Sequence, residues 1–127
     1  MRPMGAVVAV HGGAGRLSRR AKQRKEKVLR EVKAAMEEAM KALRGGSALD
    51  AVVEAVSYME DCGEFNAGKG SVMTMAGTIE LDAGVMWGRD LTVGAVGALK
   101  GAWNAIRVAR AVMERTDYIL LVGEGAD

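Results

Sequence analysis

The stretch SVMTMAGTIELDAGVMWGRDLTVGAVGAL, residues 71–99, decides how the rest of the chain must fold. It is rich in Val, Thr, Met and Ile, and it is broken at Ala76-Gly77 and at Trp87-Gly88-Arg89-Asp90, which read as hairpin turns between three successive strands. Its charges are only Glu80, Asp82, Arg89 and Asp90. A sheet with one wet face would carry more, so both faces are expected to be covered.

Working outward, Asn104 to Arg115 reads as a helix with Ile106, Ala109, Val112 and Met113 inward, followed by an apolar strand from Tyr118 to Val122. On the other side, Ser47 with Asp50 is a capping-box variant that opens a helix ending near Asp61, with Leu49, Val52, Val53, Val56 and Met59 inward. Before it lies a long basic helix. Its expected cap is Ser18, and it ends at Arg44, where Gly45-Gly46 is expected to supply a left-handed exit. In that helix Val28, Leu29, Val32, Met36, Ala39, Met40 and Leu43 recur at spacings of three and four and read as one inward stripe. Residues 4–10 form a continuous apolar run, the pattern of a strand buried on both faces.

The expected order is therefore strand, two helices, three strands, helix, strand, an α+β or layered arrangement of about five strands. At 127 residues the chain is one domain or part of one, residues 1–127 without a linker domain. Three helices do not cover both faces of such a sheet, so one face is expected to meet an obligate partner.

Composition narrows the function classes. Half of the residues are hydrophobic and 27% are charged, which excludes disorder and fibrous repeats. The single cysteine, Cys62, rules out an intramolecular disulfide and points to the cytoplasm. No apolar run reaches membrane-spanning length, and no signal peptide is expected. Asn and Gln number only three (Gln23, Asn66, Asn104) against abundant Lys, Arg and Glu, a bias seen in hyperthermophile proteins.

The net charge of +2 hides an asymmetry. Residues 1–44 hold twelve Lys or Arg against four acids, and residues 45–127 hold six against twelve. The basic run from Arg16 to Lys33 raises an alternative reading, a nucleic-acid- or phosphate-binding module without catalysis. Without interleaved aromatics for base stacking, a solvated helix face is the favoured reading and no nucleic-acid partner is expected.

Few residues carry chemistry. His11 opens His11-Gly12-Gly13-Ala14-Gly15, which lacks the Lys and Ser or Thr of a P-loop and the spacing of a dinucleotide fingerprint. Cys62 lies at a helix C-terminus, where the dipole raises a thiol pKa and leaves it inert. One His and one Cys do not make a transition-metal site. The Gly-rich turn after Met59 to Asp61, by contrast, exposes carbonyl oxygens suited to a hard cation.

The motifs His11-Gly12-Gly13-Ala14-Gly15, Ser47-Ala48-Leu49-Asp50-Ala51-Val52, Phe65-Asn66-Ala67-Gly68-Lys69-Gly70-Ser71, Glu80-Leu81-Asp82-Ala83, Ala109-Arg110-Ala111-Val112-Met113-Glu114 and Val122-Gly123-Glu124-Gly125-Ala126 follow in order. Together they resemble the plant-type L-asparaginase and isoaspartyl peptidase family, nearly end to end. The resemblance implies an N-terminal nucleophile (Ntn) hydrolase whose precursor cuts itself before a threonine. This chain would be the α subunit, half of an αββα four-layer sandwich completed by a separate β chain, in an (αβ)2 assembly. The implied substrates are small molecules, L-asparagine or β-aspartyl peptides.

On this resemblance the catalytic threonine lies on the β chain, activated by its own α-amine. Met1-Arg2-Pro3 offers no such residue, and no catalytic cofactor is expected. Three residues here are implied in support: Asn66, near the nucleophile, and Gly12 and Gly13, bordering the scissile bond. An Asn that only stabilises its tight turn is the alternative reading of Asn66. Carbonyls of Met59, Glu60, Cys62, Phe65, Ala67 and Lys69 are implied to hold a structural sodium ion, Lys69 standing where the family has an apolar residue. Thr92-Val93-Gly94-Ala95-Val96 resembles a β-chain start, but Leu91 precedes it where the cleavage point has glycine. It is read as a plain strand.

Overall fold

The computed structural model describes residues 5–13 and 24–127. Helix α1 spans Lys25–Leu43 and α2 spans Ala48–Cys62; strands β1 (Leu81–Trp87) and β2 (Thr92–Leu99) follow, then α3 (Ala105–Arg115) and β3 (Leu120–Val122). One-turn 3-10 segments occupy Gly68–Gly70 and Gly123–Gly125. The expected Ser18 cap lies outside the described residues.

Helices α1 and α2 pack against each other through alanines, with Ala39 of α1 buried against Ala51 and Ala55 of α2. Small side chains let the two backbones approach closely. The connection differs from the expectation: Arg44 caps α1 in right-handed geometry, and neither Gly45 nor Gly46 has positive φ. Glycine is required at 46 for space instead, since a Cβ there would lie 2.7 Å from Asp50 Oδ2 and 2.9 Å from the Ala42 carbonyl. The left-handed exit belongs to the end of α2, at Gly63 with φ 74°.

The α2 start is the capping box read from sequence. The Asp50 N–H donates to Ser47 Oγ (3.2 Å), and the Ser47 N–H donates to Asp50 Oδ2 (2.7 Å). Arg110 of α3 adds an ion pair to Asp50 at 2.7 Å, joining two helices at one carboxylate. The Ser47 bonds, then Arg110, pull the Asp50 pKa down to about 2.

Strands β1 and β2 pair antiparallel from Trp87↔Thr92 to Leu81↔Leu99, with a bulge between Leu81 and Ala83. β3 pairs parallel to β2, giving the order β1-β2-β3. The Trp87–Asp90 turn is present, closed by the Leu91 N–H donating to the Trp87 carbonyl at 2.8 Å. Thr92 is the first residue of β2, and Asp90 Oδ1 accepts from both its N–H (3.1 Å) and its Oγ1 (2.8 Å).

Of the expected strands, residues 5–10 and 71–80 carry none. The turn at Ala76-Gly77 does form, with Gly77 at φ 76° and Thr74 bonded to Thr78, but no ladder flanks it. A strand exists only when its N–H and C=O groups find a ladder, and Val7, 93% exposed, has no such neighbour among the described residues.

The core lies between one sheet face and α2 plus α3. It gathers Leu49 and Val53, Leu81 and Val85, Val96 and Leu99, and Ala105, Ile106, Ala109 and Val112. α3 sits so close that a Cβ on Gly94 would overlap the Ala109 carbonyl and stand 2.5 Å from Met113 Cβ. The opposite face, with Asp82, Gly84 and Met86 exposed and Val93, Ala95 and Gly97 half-buried, is apolar apart from Asp82. The expected inward stripe of α1 is also divided: Ala39 is buried and Val28, Val32 and Leu43 are half-buried, whereas Leu29, Met36 and Met40 are exposed. No helix of the described residues is long and apolar enough to cross a membrane.

Candidate functional site

The loop from Cys62 to Ser71 is built around Phe65. Its ring is buried with Met59 and Ala35, with Val10, Val28 and Val32 packed alongside. Gly12 rests on that ring, where a Cβ would come 3.1 Å from Phe65 Cε1. The structure thus brings Gly12 beside the residue preceding Asn66. Gly13 adopts φ 107°, a conformation that favours glycine, with no described residue within 4 Å of its Cβ position, and His11 is exposed. Ala14 and Gly15 of the same motif lie outside the described residues.

Asn66 is exposed, and its Oδ1 accepts the Val72 N–H at 3.0 Å. The turn-stabilising role is therefore visible directly. Asn66 also lines a cavity of about 160 Å3 with Glu60, Ala67, Gly68, Ser71, Glu80, Leu81, Asp82 and Ala105.

Glu64 fastens the loop to α1 through Arg24 and through Lys27 Nζ at 2.6 Å. Those two partners, Lys27 foremost, lower its pKa. Tyr58 makes a second tie, donating to Glu31 at 2.7 Å, and this bond raises its pKa to about 12. Cys62 is half-buried, its thiol 3.4 Å from the Met59 carbonyl, and burial raises its pKa.

Two glycines control the inside of the loop. Gly68, at φ 50°, lies so near Glu60 that a Cβ would overlap the Glu60 carbonyl region, 2.8 Å from its carbon. A Cβ on Gly70 would overlap the Phe65 carbonyl and lie 2.9 Å from that of Gly63. Carbonyls of Glu60, Gly63 and Phe65 therefore crowd one glycine turn. They are neutral oxygen donors of the kind a hard monovalent ion takes. Of the other expected donors, the Met59 and Ala67 carbonyls already accept from Cys62 Sγ and the Gly70 N–H (3.0 Å). The Lys69 ammonium is held by Asp61 Oδ1 at 2.9 Å, which lowers the Asp61 pKa and offsets the lysine charge. No group of three or more His, Cys, Asp or Glu among the described residues is arranged to hold a metal.

The Glu60 side chain is the feature that sequence reading missed. Only 3% exposed, its carboxylate accepts the Ile106 N–H at 3.1 Å and lies 3.5 Å from Asn104 Nδ2. It caps the start of α3, whose own N-cap Asn104 makes no side-chain cap. Burial is the main cause of its raised pKa. The signal was available: Glu60 falls seven residues after Val53 and four after Val56, on the inward face of α2, where a carboxylate requires partners.

Residues 4–127 match the sequence profile of a family described as "Asparaginase". A plant-type L-asparaginase of Pyrococcus horikoshii is 52% identical over 120 residues, covering 94% of this chain and 39% of that protein. An isoaspartyl peptidase/L-asparaginase of Danio rerio is 50% identical over 121 residues (94% and 38%). An isoaspartyl peptidase of Salmonella typhimurium is 48% identical over 126 residues (96% and 40%). The chain belongs to this asparaginase family. It spans about two fifths of the length of the curated relatives it matches.

Proposed function

We propose that this chain is the α portion of an amidohydrolase that converts L-asparagine to aspartate and ammonia and cleaves β-aspartyl dipeptides. The nucleophile is an N-terminal threonine on a β polypeptide from the same precursor. The observation that carries the reading is the bare, apolar sheet face on a chain matching only two fifths of its relatives. A companion sheet laid on that face would complete an αββα sandwich and bring the reacting groups with it.

In this reading the threonine α-amine takes the hydroxyl proton, and the oxygen attacks the side-chain amide carbon. Ammonia, or the amine of a dipeptide, leaves with that proton, and water hydrolyses the resulting ester. This chain supplies the floor of the site. Asn66, fixed by its bond to Val72, holds the nucleophile or the water through its amide nitrogen, and Gly12 and Gly13 leave room beside the scissile bond of the precursor. Sodium on the carbonyls of Met59, Glu60, Cys62, Phe65, Ala67 and Lys69 would brace the Asn66 loop. Two αβ units pair as (αβ)2.

Intact mass of the purified natural protein under denaturing conditions tests the central point, and a second chain beginning with Thr is expected. This chain expressed alone should release no ammonia from L-asparagine. A soluble, active monomer of this chain, or a chain starting at Thr92, would overturn the reading. Asn66→Asp retains an oxygen for Val72 and should keep the loop folded while lowering kcat at least tenfold.

A further inference from the structure

The bare sheet face carries a single charge. Along it lie Gly84 and Met86 of β1, Val93, Ala95 and Gly97 of β2, and, paired beside Ala95 and Gly97, Leu120 and Val122 of β3. Asp82 stands among them at the end next to the Asn66 loop, and it lines the cavity of about 160 Å3 together with Asn66. Three carboxylates border that cavity, and two are already engaged. Glu60 accepts the Ile106 N–H at 3.1 Å, and Glu80 pairs with Lys100 Nζ at 3.3 Å and accepts the Thr78 hydroxyl at 3.2 Å. Asp82 has one bond among the described residues, the Ala98 N–H donating to its Oδ1 at 2.8 Å, and its Oδ2 has none there.

That one bond fixes the carboxylate. The register shifts at Asp82, between Leu81 and Ala83, so Ala98 has no partner on β1 and its N–H turns to the side chain instead. Ala98 takes φ 52°, a left-handed conformation that an alanine adopts only at a cost. A Cβ on Gly97 would stand 3.5 Å from Asp82 Oδ1, so the carboxylate lies over that glycine, on the bare side. Bulges re-aim side chains, and this one leaves a carboxylate pinned by one oxygen and open at the other. Once a companion sheet covers the face, Oδ2 loses water, and a buried carboxylate requires partners. The described residues offer no second donor there, so the donor has to come with the cover.

We propose that Asp82 is a positioning residue of the two-chain site: its Oδ2 accepts a hydrogen bond from an N–H or O–H of the β polypeptide and so sets where that polypeptide lies against Asn66. The proposal rests on the β-polypeptide reading above and adds a contact to it. Relatives of which this chain spans about two fifths have ample further length for such a cover.

The test compares the natural full-length protein with Asp82→Asn, Asp82→Ala, Ala98→Gly and Asp82→Ala/Ala98→Gly. An Asn oxygen can serve the Ala98 N–H or the β donor, and its NH2 group accepts neither. Asp82→Asn should therefore keep the helical signal of wild type while weakening the hold between the two chains at least tenfold, as sedimentation over a dilution series reads, and lowering kcat for ammonia release at least tenfold. An Asp82→Asn precursor left uncut where wild type is cut has failed to seat the same segment and also supports the proposal. Ala98→Gly removes the left-handed cost, and with it the need of the bulge for a carboxylate. It should behave as wild type, and the double variant should be held as weakly as Asp82→Ala. Full recovery in the double variant would mean that the carboxylate serves only the bulge of its own chain, which overturns the proposal. So does an Asp82→Asn protein with the chain association and kcat of wild type. Intact mass judges the parent reading separately: two chains, one beginning with Thr, and indifferent Asp82 variants overturn this contact alone, whereas a single uncut chain in the active wild type overturns both.

Discussion

On one face of the sheet Leu81, Val85, Val96 and Leu99 are buried to 6% exposure or less beneath α2 and α3. On the other, Gly84, Met86, Val93, Ala95 and Gly97 form a low, apolar surface with Met86 54% exposed. The first face is composed of bulky residues in contact. The second sets Met86 and Val93 among Gly84, Ala95 and Gly97, with little laid over them. A sheet saturated on one side and bare on the other indicates that the second face has a residue pattern suited to a contact absent from the described residues.

The sharpest way to break this contrast is to place the same charge on neighbouring residues. Val85→Lys buries an unpaired ammonium and should cost about 4 kcal/mol or more, removing the cooperative melting transition of the assembled protein. Met86→Lys should leave the helical signal of this chain unchanged but weaken its hold on the proposed β polypeptide at least tenfold, as pull-down of tagged chains would read. Equal effects at the two positions would contradict the two-face picture. Leu99→Ala opens the filled side alone, and a loss of about 2–5 kcal/mol is expected in urea unfolding. Gly94→Ala pushes against the α3 backbone and should cost about 1–3 kcal/mol.

The smallest effect belongs to the helix junction behind the filled face. Asp50→Asn weakens the capping box and the Arg110 pair and should cost about 1 kcal/mol. Because folding lowers the Asp50 pKa from the ordinary 3.8 to about 2, its contribution is fully present above about pH 4. It is lost as pH falls through about 2. The acid limb of a stability-against-pH curve should therefore flatten between those values in the variant.

Local signals proved easy to read. Ser47-Ala-Leu-Asp50 announced the α2 cap, Trp87-Gly88-Arg89-Asp90 announced the hairpin, and the inward residues of α3 were identified by their spacing. Strands at 4–10 and on both sides of Ala76-Gly77 are expected from composition, but composition supplies no ladder partner, and residues 5–10 and 71–80 have none among the described residues. At Gly46 the residue type was right for a turn, yet crowding by Asp50 and Ala42, not chain handedness, is the reason, and no such crowding accounts for Gly45. Within the loop, the motif located Asn66 and Gly12 without indicating that Phe65 joins them. Contacts that are distant in sequence, such as Glu64 with Lys27 or Glu60 with Ile106, leave no local periodicity to detect.

The Glu60 contact has a consequence for how this protein can change. Its partner across the helix junction is the main-chain N–H of Ile106, a group that every residue except proline supplies. Swapping the side chain at 106 cannot compensate for a change at 60, so the two positions should drift independently among variants even though they touch. Correlated substitution would overlook this join, whereas slowed amide exchange at 106, lost in Glu60→Ala and kept in Glu60→Gln, would reveal it.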